Sequence, residues 1–230
     1  MKKLLIIFFF IFTAQLTAQN LQLHYDMGEE RSYFTTTLEM FRPDEFGSTF
    51  FFVDFDFDAP GNKNISLAYW EIARHVTVYE KLAVTIQYND GIVLVPTPAA
   101  NFAATLNQTW LAGVSYPVDL SFVTLNTDLL FRNTYGSDAP DFQLTTVWFV
   151  PFFEGKLNLS GFLDVWTQDA KLRVGSTNTD KEFVFLTEPQ LWYNINNHLA
   201  VGGEIEISNN FLPFQDEIKI NPTLALKWNF

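Results

Sequence analysis

Leu199-Ala200-Val201-Gly202-Gly203-Glu204-Ile205-Glu206-Ile207-Ser208 sets large apolar residues at the odd positions and small or polar ones at the even, with Gly203 the one exception. Leu199, Val201, Ile205 and Ile207 face one way, and Glu204, Glu206 and Ser208 face the other. Period two is the repeat of a β-strand, so this stretch carries one apolar and one wet face. Leu82-Ala83-Val84-Thr85-Ile86-Gln87-Tyr88 reads the same way, with apolar residues at the even positions and small or polar ones at the odd.

Working outward from these two stretches, the same rhythm predicts twelve strands, at about 20–26, 32–41, 48–57, 65–77, 82–89, 107–116, 119–132, 141–151, 156–168, 182–194, 199–208 and 218–230. A soluble lipocalin-like barrel or a sandwich would also alternate, so three further features decide between them. The connections alternate in length, with short turns at 42–47, 78–81, 117–118, 152–155 and 195–198. Between them come longer, more polar segments at 27–31, 58–64, 89–106, 133–140, 169–181 and 209–217. Aromatic residues flank every short turn: Phe41 and Phe46, Tyr79, Tyr116, Phe152 with Phe153, and Tyr193. The last strand places Leu224, Leu226, Trp228 and Phe230 on one face, the pattern of a strand read by the outer-membrane assembly machinery. Tight turns on one side, an aromatic girdle and an apolar terminal strand together predict an all-β, transmembrane, antiparallel up-and-down β-barrel. Pro189 and Pro222 fall inside strands and predict bulges or register breaks nearby.

Composition fits export to a bacterial outer membrane. Lys2 and Lys3 precede an apolar run from Leu4 to Phe12 and a Leu16-Thr17-Ala18 cleavage site, so residues 1–18 read as a signal peptide and 19–230 as the barrel. Without the leader, 12 basic and 26 acidic residues remain, near −14, which excludes a nucleic-acid partner. The chain has no cysteine, so disulfides, thiolate metal sites and a catalytic thiol are excluded. No cofactor is expected. His24 and His75 are read as polar lining rather than metal ligands, since no local spacing completes a coordination shell.

With the apolar face toward lipid, the opposite face lines the lumen. It is predicted to hold Asp26, Glu39, Asp54, Asp56, Glu71, Asp128, Asp164, Glu188, Glu204 and Glu206, against the bases Arg132, Lys219 and Lys227. Tyr33, Phe52, Phe122, Phe162 and Trp166 are expected on the same face. Acids outnumbering bases favour cations or neutral polar solutes. Twelve strands lie between the side-chain-filled eight and the aqueous sixteen, so a narrow lumen is expected. The candidate solute-binding residues are Glu39, Asp54, Asp56, Glu71, Arg132, Asp164, Trp166, Glu188, Lys219 and Lys227.

The stretch from Tyr33 to Glu39-Met40-Phe41, the charged turn before Phe46, Asp54-Phe55-Asp56-Phe57-Asp58-Ala59-Pro60, Trp70-Glu71-Ile72 and the closing Asn229-Phe230 resemble the nucleoside-specific, channel-forming (Tsx-like) outer-membrane family, in a small uncharacterised branch. The resemblance implies a monomeric twelve-stranded barrel with a narrow channel admitting nucleosides. Glu39, Asp54, Asp56 and Glu71 match acidic positions of the family pattern, while Thr37 stands where a further carboxylate is expected. Two other readings stay open beside a passive channel for small polar solutes. One is a structural or binding barrel, an adhesin or assembly partner, plugged by the segment 89–106. The other is a membrane-embedded hydrolase, for which no motif such as G-x-S-x-G assembles a nucleophile with its base.

Overall fold

The structure, a computed structural model, describes residues 19–29, 31–57, 64–95, 102–173, 176–177, 180–211 and 217–230. The signal-peptide assignment for residues 1–18 lies outside the described residues. Thirteen strands form in chain order: β1 (Gln19–Asp26), β2 (Phe34–Asp44), β3 (Gly47–Phe57), β4 (Ile65–Tyr79), β5 (Leu82–Val95), β6 (Phe102–Asp119), β7 (Thr124–Thr134), β8 (Asp141–Phe152), β9 (Leu157–Asp169), β10 (Lys181–Thr187), β11 (Gln190–Asn194), β12 (Leu199–Asn209) and β13 (Lys219–Asn229). Each pairs antiparallel with its neighbours, and β1 closes the ring on β13 through Leu21↔Trp228, Leu23↔Leu226 and Tyr25↔Leu224.

β10 and β11 are two halves of one stave. Both pair with β9 and β12, in the same register on either side of Glu188-Pro189, so the closed barrel has twelve walls. Pro189 has no N–H to give, and the ladder is rebuilt around it. Glu188 N–H donates to Phe162 O (3.2 Å) and Ile205 N–H to Pro189 O (3.0 Å). Gly161 lies opposite at φ +153°, where a Cβ would sit 2.5 Å from Glu188 O and 2.9 Å from Pro189 Cα.

Pro222 behaves differently from the expected bulge, since β12 and β13 keep one register through it. The physical reason is shared by all four prolines within strands. Pairing of β2 with β1 stops at Met40, before Pro43, and pairing of β6 with β5 stops at Ser115, before Pro117. Pairing of β8 with β7 stops at Trp148, before Pro151, and pairing of β13 with β1 stops at Thr223, next to Pro222. Each proline therefore sits where its strand has one neighbour left, so its missing donor breaks no ladder. This moves the turn expected at 117–118 to 120–123, and β6 runs on through Pro117 paired with Asn126.

The expected long connection 89–106 is mostly sheet. Gly91-Ile92-Val93-Leu94-Val95 continues β5 and pairs with 102–106 across a register shift between Asn89 and Gly91, leaving 96–101 outside the described residues. Apolar residues cover the outside: Leu129, Phe142 and Phe183 are 60%, 67% and 71% exposed. Phe46, Tyr79, Tyr116, Phe153 and Tyr193 stand exposed at the short-turn end. The exposed apolar band, its aromatic rim and the absence of a free sheet edge make this an outer-membrane β-barrel.

Candidate functional site: the barrel lumen

At the long-loop mouth, the segment after β1 turns the Arg31 side chain toward the inward acids of β1 and β12. Arg31 donates to Asp26 (2.7 Å) and reaches Glu206 on β12 (3.2 Å), tying two walls together. Glu206 also accepts from Ser208 (3.0 Å) and Asn221 (3.0 Å), while Asp56 accepts from Thr35 (2.7 Å). Asp26 is 4% exposed. Its second carboxylate oxygen caps the turn by accepting from Gly28 N–H (2.8 Å).

Deeper in, acids face the lumen with hydroxyls and amides as partners. Thr37 donates to Asp54 (2.5 Å); Tyr69 and Asn89 donate to Glu71, Asn89 at 2.8 Å. Arg132 lies 4.9 Å over the Trp166 ring and donates to Gln143 (2.5 Å). His75 Nε2 and the Gln87 amide converge on one oxygen of Asp128 at 2.9 and 3.1 Å. Arg132 Nε, Asp164 Oδ1, Asn89 Oδ1 and Thr85 Oγ1 are shielded and meet no hydrogen-bond partner among the described residues. The Glu188 carboxylate stands at the Pro189 break with no side-chain hydrogen bond or ion pair among the described residues. Phe50, Phe52 and Tyr69 form a run of rings beside these acids, with centroids 5.9 Å apart in each contact.

The inward phase at the short-turn end brings together β1, β11, β12 and β13. Lys227 Nζ lies 3.8 Å above the Trp192 ring, and the Trp192 indole donates to Gln190 (2.9 Å). Gln190 in turn donates to Glu204 (3.0 Å). His24 bonds Gln22 through Nε2 (2.8 Å), meets Thr223 through Nδ1 (2.9 Å), and approaches Glu204 at 3.4 Å. Asn20 carries the chain of contacts on to Glu39 (3.0 Å).

Glu39, Asp54, Asp56, Glu71, Arg132, Asp164, Trp166, Glu188 and Lys227 thus share the inward face assigned to them by alternation. Lys219 keeps the inward phase of Asn221 and Lys227, opposite Ser208, but sits at the long-loop rim where β13 begins rather than deeper in the lumen, and pairs there with Glu29 (3.0 Å) and Glu217 (3.3 Å). Phe122 is a second correction, sitting 78% exposed in the 120–123 turn once that turn has moved. Sequence reasoning missed Arg31, which lies in a connection where no strand phase applies. It also missed Trp192, which the phase of Glu188 and Gln190 would have found.

A rim clamp joins the connections at 135–140 and 170–180. Lys181 bridges Asp141 (2.8 Å) and Asp169 (2.9 Å). Asp169 also accepts from Asp138 N–H (2.6 Å) and Ser137 (3.1 Å). The Asp138 amide first, and then the Lys181 ammonium, hold the Asp169 carboxyl down at about 2.

No curated protein matches the chain in sequence. Among solved structures, the KdgM porin aligns over 92% of this chain and 98% of its own at 7% identity and a TM-score of 0.49. LpxR from Salmonella typhimurium aligns over 92% and 99% at 7% identity and a TM-score of 0.49. Omp33 of Acinetobacter baumannii aligns over 92% and 96% at 12% identity and a TM-score of 0.41. The closed ring and the apolar band of this chain stand without them. The family model of DUF5020, a domain of unknown function, matches residues 18–230, and the chain belongs to that family.

Proposed function

We propose that this protein is a passive outer-membrane channel for small polar solutes, with nucleosides the favoured class. The observation that carries the reading is a closed twelve-walled ring whose outward face is apolar while its inward face is polar and acidic. The rings of Phe50, Phe52 and Tyr69 beside Asp54 and Glu71 suit a flat solute with hydrogen-bonding edges. The resemblance to Tsx-like proteins at Glu39, Asp54, Asp56 and Glu71 supports the same choice. In this reading the chain works as a monomer, loses residues 1–18 on export and presents the strand ending at Phe230 to the assembly machinery.

The test is single-channel conductance of the refolded protein in a planar bilayer, with adenosine, thymidine and glucose titrated in turn. Small steps blocked by the two nucleosides and not by glucose support the full reading. Steps indifferent to all three reduce it to a general small-solute pore. Arg31, turned inward at the mouth and held there by Asp26 and Glu206, favours a second reading in which the barrel is closed and serves binding or structure. Silence from protein shown to be folded selects that one.

A further inference from the structure

Near the short-turn end of the lumen, two opposite poles are held by one pair of side chains. Gln190 and Trp192 are successive inward positions on β11, so their tiers lie roughly 7 Å apart along the wall. Gln190 is registered opposite Glu204 and Trp192 opposite Gly202. Gly202 gives the indole its place: a Cβ there would sit 2.9 Å from the Trp192 ring and 2.0 Å from Leu191 O. Ala200 and Ala225, both buried, pack with Trp192 and keep the neighbouring walls small.

Lys227 is the first pole. Its ammonium rests 3.8 Å above the Trp192 ring, an attraction to the ring face that leaves its donors uncommitted. No acceptor or carboxylate is within bonding distance of it among the described residues. Glu204 is the second pole, one tier away, with its side chain one-fifth exposed (20%). Gln190 and His24 fix the Glu204 carboxylate, at 3.0 and 3.4 Å, and the same two residues contact Trp192, Gln190 through the indole N–H and His24 edge to face at 5.9 Å. An acid and an ammonium with no hydrogen-bonded carboxylate therefore face one lumen, both held by the buried Trp192 and its neighbours.

We propose that Lys227, Trp192 and Glu204 form a subsite for zwitterionic solutes of the α-amino-acid class, taking the solute carboxylate on Lys227 and its ammonium on Glu204. A charge-assisted contact of roughly 2.8 Å at each end of so short a solute spans about one tier of the wall. Trp192, Ala200 and Ala225, none more than 3% exposed, pack behind the two poles and hold them in place, while the solute side chain is left to the lumen. An uncharged nucleoside can hydrogen-bond to either pole but brings no opposite charge to it, so this subsite serves a solute class beyond the one favoured above. It rests on the reading of the lumen as solute-accessible.

The experiment is calorimetric titration of the refolded protein in detergent micelles with leucine, leucine methyl ester and N-acetyl-leucine. Leucine is expected to bind, and each singly blocked derivative to bind roughly tenfold more weakly. Lys227→Met should abolish discrimination against the methyl ester, Lys227→Arg should restore it, and Glu204→Gln should abolish discrimination against N-acetyl-leucine. Absence of leucine binding, equal binding of all three, or unchanged discrimination in folded variants overturns the proposal. Since the derivative series uses the unmodified protein, it decides even where a variant does not fold. Bilayer recordings separate the two readings. Silent protein that still binds leucine overturns the channel and leaves the subsite, whereas a channel blocked by adenosine and unaffected by leucine overturns the subsite alone.

Discussion

At the residue scale, a few side chains set what the lumen presents. Arg31 neutralises Asp26 and Glu206 where a solute would enter. Removing it leaves two acids uncompensated at the mouth, so Arg31→Ala should raise cation-over-anion permeability about twofold, read from the reversal potential in a salt gradient. An unchanged reversal potential would place the ion path elsewhere. Gly202 matters for the opposite reason, by what it lacks. Gly202→Ala drives a methyl into Leu191 O and the Trp192 ring, so it should destabilise the barrel by about 1–3 kcal/mol in urea unfolding from lipid vesicles. A change of a few tenths would mean that the indole has room to move.

At the element scale, each strand is read by its two faces and its ends. Leu129 is outward on β7, 60% exposed and flanked by the inward Asp128 and Leu130. Leu129→Arg should cost about 2–4 kcal/mol in a bilayer, against about 0–1 for Tyr135→Arg just beyond the end of β7. Equal costs would mean that the membrane band is misplaced along the strand. The connections carry their own interaction at the rim clamp. Asp169 is held below the ordinary carboxylate range, so its contribution to clamp stability is full above about pH 4 and lost as pH falls through about 2. The Asp138 amide resonance, reporting its bond to Asp169, should titrate with a midpoint near 2; a midpoint near 4 would show the clamp open in solution.

At the scale of the whole molecule, the barrel separates charge by face rather than by end. The acids that would cost most in lipid are turned inward, where threonines, amides and Arg31 meet them. With inward acids outnumbering inward bases, the open pore should pass potassium in preference to chloride, and raising ionic strength should weaken that preference by screening. Anion preference at low salt would contradict the assignment of the inward face.

The sequence by itself determined the barrel, because period two, alternating connection lengths and aromatic rims are local patterns that survive without knowing any neighbour. It also determined the inward side of Glu39, Asp54, Asp56, Glu71, Asp164 and Glu188, since a charge on the lipid face is costly wherever the strand lies. Tertiary structure alone decided where each ladder stops, and hence that Pro117 and Pro222 leave their strands intact while Pro189 splits a stave. It decided that Leu111, Leu130 and Val184, apolar by type, point inward and are buried there, because burial depends on what the opposite walls supply. It also brought Lys227 over Trp192 and Arg31 across to Glu206, contacts between residues 35 to 175 positions apart that no local pattern encodes.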